Sequence, residues 1–257
     1  MSSYKKVYQD WKNDPESFWM KAAEKIDWVR KPTKALNKEN APLYEWFTDG
    51  IVNTCYNAVD RHVENGRADQ LAIIYDSPVT GVKERISYAE LQKKIALLAG
   101  ALIKKGIQKG DRVIIYMPMV PEAIIAMLAV ARIGAIHSVV FGGFAARELA
   151  TRIDDATPKA IIAGSCGIEA NRIIDYKPLL DEAIQIASHK PEFCVISQRE
   201  QKNAELIPGR DYAWNDIIND ADWAECVPVS GDHPVYILYT SGTCLLYTSP
   251  SPRDGLL

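Results

Sequence analysis

DRVIIYMPMVPEAIIAMLAVARIGAIHSVVFGG, residues 111–143, reads as a strand, a helix and a second strand, and its rhythm decides the fold. The β-branched run DRVIIYM stops at Pro118. Pro121 suits the first turn of a helix, PEAIIAMLAVARIG supplies the helix, and Gly134 stands where a helix ends. AIHSVVF is the second apolar run. The same alternation extends in both directions. Upstream come LAIIYD from Leu71 and the helical ISYAELQKKIALLAGALIKKG; downstream come ARELATRIDDA, KAIIAG, KPLLDEAIQIA, FCVIS and VYILYTS. Strand alternating with helix implies an α/β fold, a parallel sheet with helices on both faces. Ser87 with Glu90 three residues on makes a capping box for the helix through Leu91, Ile95, Leu98 and Leu102, and Gly106 sits at its C-terminal cap.

The first seventy residues differ. They are rich in Trp and Tyr with little strand signal, and SFWMKAAEKIDW puts Phe18, Trp19, Ala22, Ala23 and Ile26 at helical spacing. Residues 1–70 are therefore read as a wrapping segment around a body spanning residues 71–243. Residues 200–232 form a polar stretch, expected as a surface excursion with one short helix near Trp214–Asn219.

Composition restricts the function classes. The 257 residues are 47% hydrophobic and 25% charged, with a formal net charge of −3. Basic residues are scattered, which argues against nucleic acid or an anionic membrane as partner. No run of eighteen apolar residues and no transit-peptide composition is seen, so a cytoplasmic location is expected. Cys55, Cys166, Cys194, Cys226 and Cys244 are widely spaced without a CxxC pair, which suggests buried free thiols and no metal site.

Several stretches could carry chemistry. Tyr239-Thr240-Ser241-Gly242-Thr243 follows the apolar run Val235–Leu238, and small hydroxyl residues with Gly at such a place can aim N–H groups at a polyphosphate. The same residues also suit an ordinary turn, and no Gly-Lys-Ser/Thr follows to make a Walker loop. Phe141-Gly142-Gly143-Phe144 ends a strand at the edge where α/β sheets bind ligands, or simply turns into the helix near Ala145. Arg172 could hold a phosphate or be solvated. His62, His137, His189 and His233 show no metal spacing, Asp154-Asp155 reads as a solvated helix face, and Met117 and Met119 read as core.

Together, YILYTSGT, the run GDRVIIYMPMVPEAIIAMLAVARIGAIHSVVFGGFAARELATRIDDATPK and WFTDGIVNTCYNAVDRHV resemble the AMP-forming acyl-CoA synthetases of the adenylate-forming superfamily, nearest the acetyl-CoA and propionyl-CoA synthetases. AIIYDSPVTG, SCGIEANRIIDYKPLLDEAI and ILYTSGT lean toward the propionate branch. The resemblance runs from about Tyr8 to Thr243. It implies the N-terminal part of the adenylate-forming large domain, with ATP, Mg2+ and coenzyme A as substrates and cofactor. A short carboxylate would attack the α-phosphate of ATP, releasing pyrophosphate, and the coenzyme A thiol would then displace AMP. By this resemblance Thr240, Ser241, Gly242 and Thr243 bind the ATP phosphates. Gly142, Gly143 and Arg172 belong to the coenzyme A site, whose first arginine position is Glu169 here. The alternatives are a nucleotide-binding module without catalysis, although SPVTG after LAIIYD is no GxGxxG turn, and a different adenylate-forming ligase.

In the family, TSGT continues into Thr-Gly-x-Pro-Lys-Gly. Here CLLYTSPSPRDGLL, residues 244–257, follows and does not match it, so this tail is expected to be non-native and the LYTS repeat a coincidence. The family's catalytic residues fall beyond that point. On this reading the chain as it stands holds no catalytic or metal residue and is inactive.

Overall fold

The computed structural model describes residues 3–169 and 172–239. The N-terminal part holds α1 (Tyr4–Asn13), α2 (Pro15–Ala23), the two-residue strands β1 (Leu36–Asn37), β2 (Glu45–Trp46) and β3 (Ile51–Val52), and π-helical turns at Tyr56–Asp60 and Val63–Arg67. The stripe expected on SFWMKAAEKIDW buries little more than Ala23. Trp19 and Ile26 remain partly exposed, with Trp19 edge-on to Trp46 at 5.5 Å.

β4 (Leu71–Asp76) and β5 (Lys83–Ser87) follow, then α3 (Tyr88–Lys104), β6 (Arg112–Met117), α4 (Pro121–Arg132), β7 (Ile136–Phe141) and α5 (Ala146–Ala156). Next come β8 (Ala160–Gly164), β9 (Cys166–Glu169), β10 (Arg172–Asp175), α6 (Tyr176–Ile186), β11 (Phe193–Ser197), β12 (Asp211–Ala213), α7 (Trp214–Asn219) and β13 (Val229–Ser230). The central sheet has the order β12-β11-β8-β6-β7, and every pairing in it is parallel. Its two faces are covered separately. Val113, Ile115, Ile162 and Val195 pack with Leu91 and Ile95 of α3 and Ala126 and Val130 of α4; Ile114, Tyr116, Ile161 and Ile196 pack with Leu149 and Ile153 of α5 and Leu180 of α6. Strands buried on both faces must be apolar at every position, which is why RVIIYM, AIIAG and FCVIS show no alternation.

The helix boundaries obey the caps. Ser87 Oγ accepts from the Glu90 amide at 3.3 Å while the Glu90 carboxylate accepts from the Ser87 amide at 2.8 Å, and Pro121 opens α4. Two expectations need correction. LAIIYD is not a strand of the parallel sheet: β4 pairs antiparallel with β5 in its own hairpin, because residues 77–82 are too short a connection for a parallel crossover. The polar stretch 200–232 is not wholly superficial, since β12 joins the sheet beside β11 and buries Asp211. The described cysteines are free thiols as expected, Cys55, Cys166 and Cys194 fully buried and Cys226 partly so, and Cys55 and Cys226, far apart in sequence, come together in space.

Asp211 can be buried because cations surround it. Lys177 Nζ lies 2.9 Å and Arg210 Nε 2.6 Å from its carboxylate, and the Ile207 amide donates at 2.9 Å. Burial pushes its pKa up, but the hydrogen bonds from Arg210, Ile207 and Lys177 outweigh it and hold it below the ordinary carboxylate value. A depressed carboxylate stabilises the fold above the unfolded pKa of about 3.9, and that contribution is lost as pH falls through the lower folded value. Asp211→Asn is expected to cost about 1–2 kcal/mol at pH 7. Urea midpoints measured from pH 7 down to pH 2.5 should show the gap between the two chains closing in acid; a gap independent of pH would remove the electrostatic account.

From Asp220 onward the chain returns as a strap. β13 pairs with β3, and Val235 and Ile237 hydrogen-bond His137 of β7 at 3.1 and 2.9 Å, so the run Val235–Leu238 lies parallel to the sheet edge but registers as a single bridge. Among the described residues, no helix is long and apolar enough to cross a membrane.

Candidate functional site

Parallel strands all end on the same side, so the C-terminal ends of β6, β7 and β8 bring Met117, Phe141 and Gly164 to one edge, where α/β sheets place ligands. A cavity of about 590 Å3 opens there, walled by Met117, Pro118, Phe141, Gly142, Glu169, Tyr176, Arg199 and Leu238.

The paired glycines have separate reasons. A Cβ on Gly142 would stand 2.6 Å from both Cε2 and Oη of Tyr176, so only hydrogen fits against that ring. Gly143 has φ +119°, a region L side chains avoid, and its open face lies against Glu169, whose Oε1 would be 3.2 Å from a Cβ. Arg172 is not a cavity wall. It pairs with Glu169 across the β9–β10 hairpin at 3.7 Å, with most of its side chain in water, so the pair holds it only weakly. The structure thus brings Gly142 and Glu169 to the cavity, sets Gly143 behind them against Glu169, and leaves Arg172 one ion pair outside. Thr240, Ser241, Gly242 and Thr243 lie outside the described residues. The segment before them does reach the site: Leu238 is a wall, and the Tyr239 hydroxyl donates to Asp155 at 2.5 Å. Asp154 and Asp155 lie on the exposed face of α5 as expected, and Asp154 accepts from the His189 amide at 2.8 Å.

Sequence reasoning missed Tyr176 and Arg199. Tyr176 is buried against Tyr116, ring centroids 5.0 Å apart, and burial pushes its phenol up to about 12, so it stays protonated at neutral pH. Arg199 stands two residues past β11, donating to the Cys166 carbonyl at 3.0 Å. A cation just after a parallel strand was a usable signal for Arg199; nothing local marks Tyr176. His137 is held neutral, its pKa lowered to about 4 by burial, and its Nδ1 has no partner among the described residues.

The Tyr176 contact gives a direct test. Gly142→Ala is expected to cost about 1–2 kcal/mol by overpacking, and the cost should shrink when Tyr176→Val is made in the same chain. Additive losses in urea unfolding would mean the ring is not the obstacle.

The model of the AMP-binding enzyme family matches residues 59–244, and the model of the acetyl-coenzyme A synthetase N-terminus matches residues 4–58. The chain belongs to the AMP-binding enzyme family. Among similar members, the rat acyl-CoA synthetase short-chain family member 3, mitochondrial, is 54% identical over 231 residues, covering 90% of this chain and 34% of the relative. The acetyl-coenzyme A synthetase of Streptomyces coelicolor is 43% identical over 239 residues, covering 92% of this chain and 36% of the relative. The structure of the acetoacetyl-CoA synthetase from Streptomyces lividans superposes with a TM-score of 0.83 at 22% identity, over 94% of this chain and 37% of that one, which shows the shared fold. This family member therefore spans about a third of the length of the relatives it matches.

Proposed function

We propose that this chain serves an AMP-forming acid-thiol ligase that activates a short-chain carboxylate, propionate or acetate, with ATP and passes the acyl group to coenzyme A. The observation that carries the reading is the unbroken match to both family regions, 4–58 and 59–244, in a chain whose sheet edge holds Gly142 and Glu169 at one cavity. In the first step a carboxylate oxygen bonds to the α-phosphorus and pyrophosphate leaves. In the second the thiol sulfur bonds to the acyl carbon and AMP leaves.

The residues present suit part of this. Gly142 lets the Tyr176 ring pack against the main chain at the cavity wall, Arg199 lines the same cavity, and Arg172 stands beside it through its ion pair with Glu169. Thr240, Ser241, Gly242 and Thr243 are proposed for the ATP phosphates, with donors there offsetting the charge that builds up as the carboxylate attacks. The carboxylates on the cavity wall, Asp76 and Glu169, already face Lys83 at 2.9 Å and Arg172 at 3.7 Å, so they do not form a magnesium ligand set, and Mg2+ is proposed to enter with ATP. Residues 1–70 are proposed as a wrapping segment, 71–243 as part of the adenylate-forming domain, and 244–257 as foreign to it. The location proposed is the cytoplasm, which cell fractionation tests directly.

The deciding experiment reads the source transcript across the codon for Thr243 and assays both the protein it encodes and the 257-residue chain. The frame is expected to continue as Thr-Gly-x-Pro-Lys-Gly. Its product should release pyrophosphate and form a thioester with propionate or acetate, while the 257-residue chain does neither. Nucleotide binding without pyrophosphate release would instead favour a non-catalytic module, and turnover confined to other acids a different adenylate-forming ligase.

A further inference from the structure

Away from the cavity, the sulfurs of Cys55 and Cys226 and a carboxylate oxygen of Asp60 lie within 4.8 Å of one another. Cys55 is fully buried at the start of the first π-helical turn. Cys226 sits on the returning strap, half-buried, and borders a cavity of about 250 Å3 whose other walls include Asp27, Trp28, Asn53, Tyr56 and Pro228. The remaining described cysteines, Cys166 and Cys194, are buried elsewhere, on β9 and β11.

Two sulfurs and a carboxylate could suggest a metal ion. Arg132 argues against one. Its Nη1 is 2.8 and 2.9 Å from the two Asp60 oxygens and 3.7 Å from Cys55 Sγ, so the carboxylate is already neutralised and a divalent cation would face a fixed positive charge. The pair also has the electrostatics of a reactive thiol couple. The Cys226 S–H, and Arg132 beside it, draw the Cys55 thiol below its ordinary value against the penalty of burial, while Cys226 is pushed up by the same hydrogen bond. The Cys226 S–H also donates to Asp60 Oδ2 at 3.7 Å, so two thiols lie side by side next to a guanidinium, and one of them lines a cavity that admits a small oxidant.

We propose that Cys55 and Cys226 are a redox-responsive thiol pair that hydrogen peroxide closes into a disulfide, tethering the returning strap to the turn beginning at Cys55. The chemistry balances: the sulfur of the cavity-facing Cys226 attacks one peroxide oxygen while its proton passes by way of the Asp60 carboxylate, 3.7 Å away, to the departing hydroxide, so the O–O bond breaks and a sulfenic acid and one water form. Cys55 then attacks that sulfur and a second water leaves, so two thiols and one peroxide give one disulfide and two waters. The strap so fixed runs on to Leu238 at the cavity wall, which couples the redox state of the thiols to the chain approaching the sheet edge. The inference stands independently of the substrate proposed above.

The test treats the 257-residue chain with hydrogen peroxide, alkylates it, and maps peptides without reduction. A Cys55–Cys226 cross-link at least tenfold above any other pairing is expected, reversed by dithiothreitol and absent in Cys226→Ser. Hydrogen exchange of the amides from residue 224 to 230 should slow at least threefold on oxidation. Disulfides scattered among the cysteines, Cys226 carried to the sulfinic acid while Cys55 still alkylates, or one equivalent of zinc taken up with block of the cross-link would each overturn the proposal.

Discussion

Arg132→Met is expected to destabilise the chain by about 3–5 kcal/mol, the cost of leaving one member of a buried ion pair unpartnered. Arg132 is fully buried at the end of α4, and Asp60 is 5% exposed. Burial works against the guanidinium charge, and the Asp60 hydrogen bonds more than offset it, so the pKa of Arg132 is pushed up and it never titrates in the fold. The arginine does more than neutralise Asp60. Its Nε donates to the Ala224 carbonyl at 2.6 Å and its guanidinium faces the Trp223 ring at 5.6 Å, so it joins the first π-helical turn, α4 and the strap. Lysine could not replace it, because a single ammonium cannot span Asp60 and Ala224 together. Asp60→Asn should cost less than Arg132→Met, since Asn can still accept from Arg132 and from Gln92, which now donates to Asp60 at 2.8 Å. The double variant Arg132→Met/Asp60→Leu should recover part of the loss, because two apolar side chains replace two desolvated charges. Urea unfolding of the parent chain, Arg132→Met, Asp60→Leu and the double variant measures the cycle. A loss below about 1 kcal/mol for Arg132→Met would place the pair with weakly contributing surface pairs and sink the argument.

That pair also marks the limit of what the sequence discloses. In PEAIIAMLAVAR a terminal arginine reads as an ordinary cation at a helix C-terminus, favourable to the dipole and solvated. Its partner lies 72 residues earlier, and nothing local points to it. The Cys55–Cys226 contact is hidden in the same way: side chains meeting across the strap leave no spacing signature. What was legible is what local chemistry determines. Ser87 with Glu90, Pro121 and Gly134 bound their helices because caps and fixed φ values act within a few residues. The doubly buried strands were legible because both faces demand apolar side chains. LAIIYD misled because it shows the same composition, and only the short connection to KERIS separates a hairpin from a crossover. At the site, Gly142 and Gly143 stood out as glycines, but the reason for Gly142 is the Tyr176 ring, reached through a hairpin and thirty-odd residues of chain, visible only in three dimensions.

Gly100→Ala is expected to cost about 2–3 kcal/mol although it improves the helix. In the interior of α3, alanine is preferred over glycine by about 0.5–1 kcal/mol, so helix propensity alone predicts stabilisation. Opposing it is the strap. The Asp220 carbonyl accepts from Lys104 Nζ at 3.0 Å, and the Ala224 amide donates to the Ala96 carbonyl at 3.2 Å, so residues 220–224 lie directly across α3. A Cβ on Gly100 would stand 2.9 Å from the Asp222 carbonyl carbon and overlap its oxygen. An obstructing side chain can rotate away; a backbone carbonyl anchored on both sides cannot. The strap must lift, and overpacking of this kind costs about 1–3 kcal/mol, reaching or exceeding the upper end where main chain obstructs. Lifting residue 222 also pulls on Ala224 and thus on the Arg132 Nε bond, so the loss should be partly shared with that of Arg132→Met. The two substitutions together should therefore cost less than their sum. Urea midpoints for the single and double variants, with hydrogen exchange at the Ala224 amide, measure this. Faster exchange at Ala224 in Gly100→Ala is the expected signature, whereas a more stable Gly100→Ala chain would mean that helix propensity wins and the strap does not seat on α3.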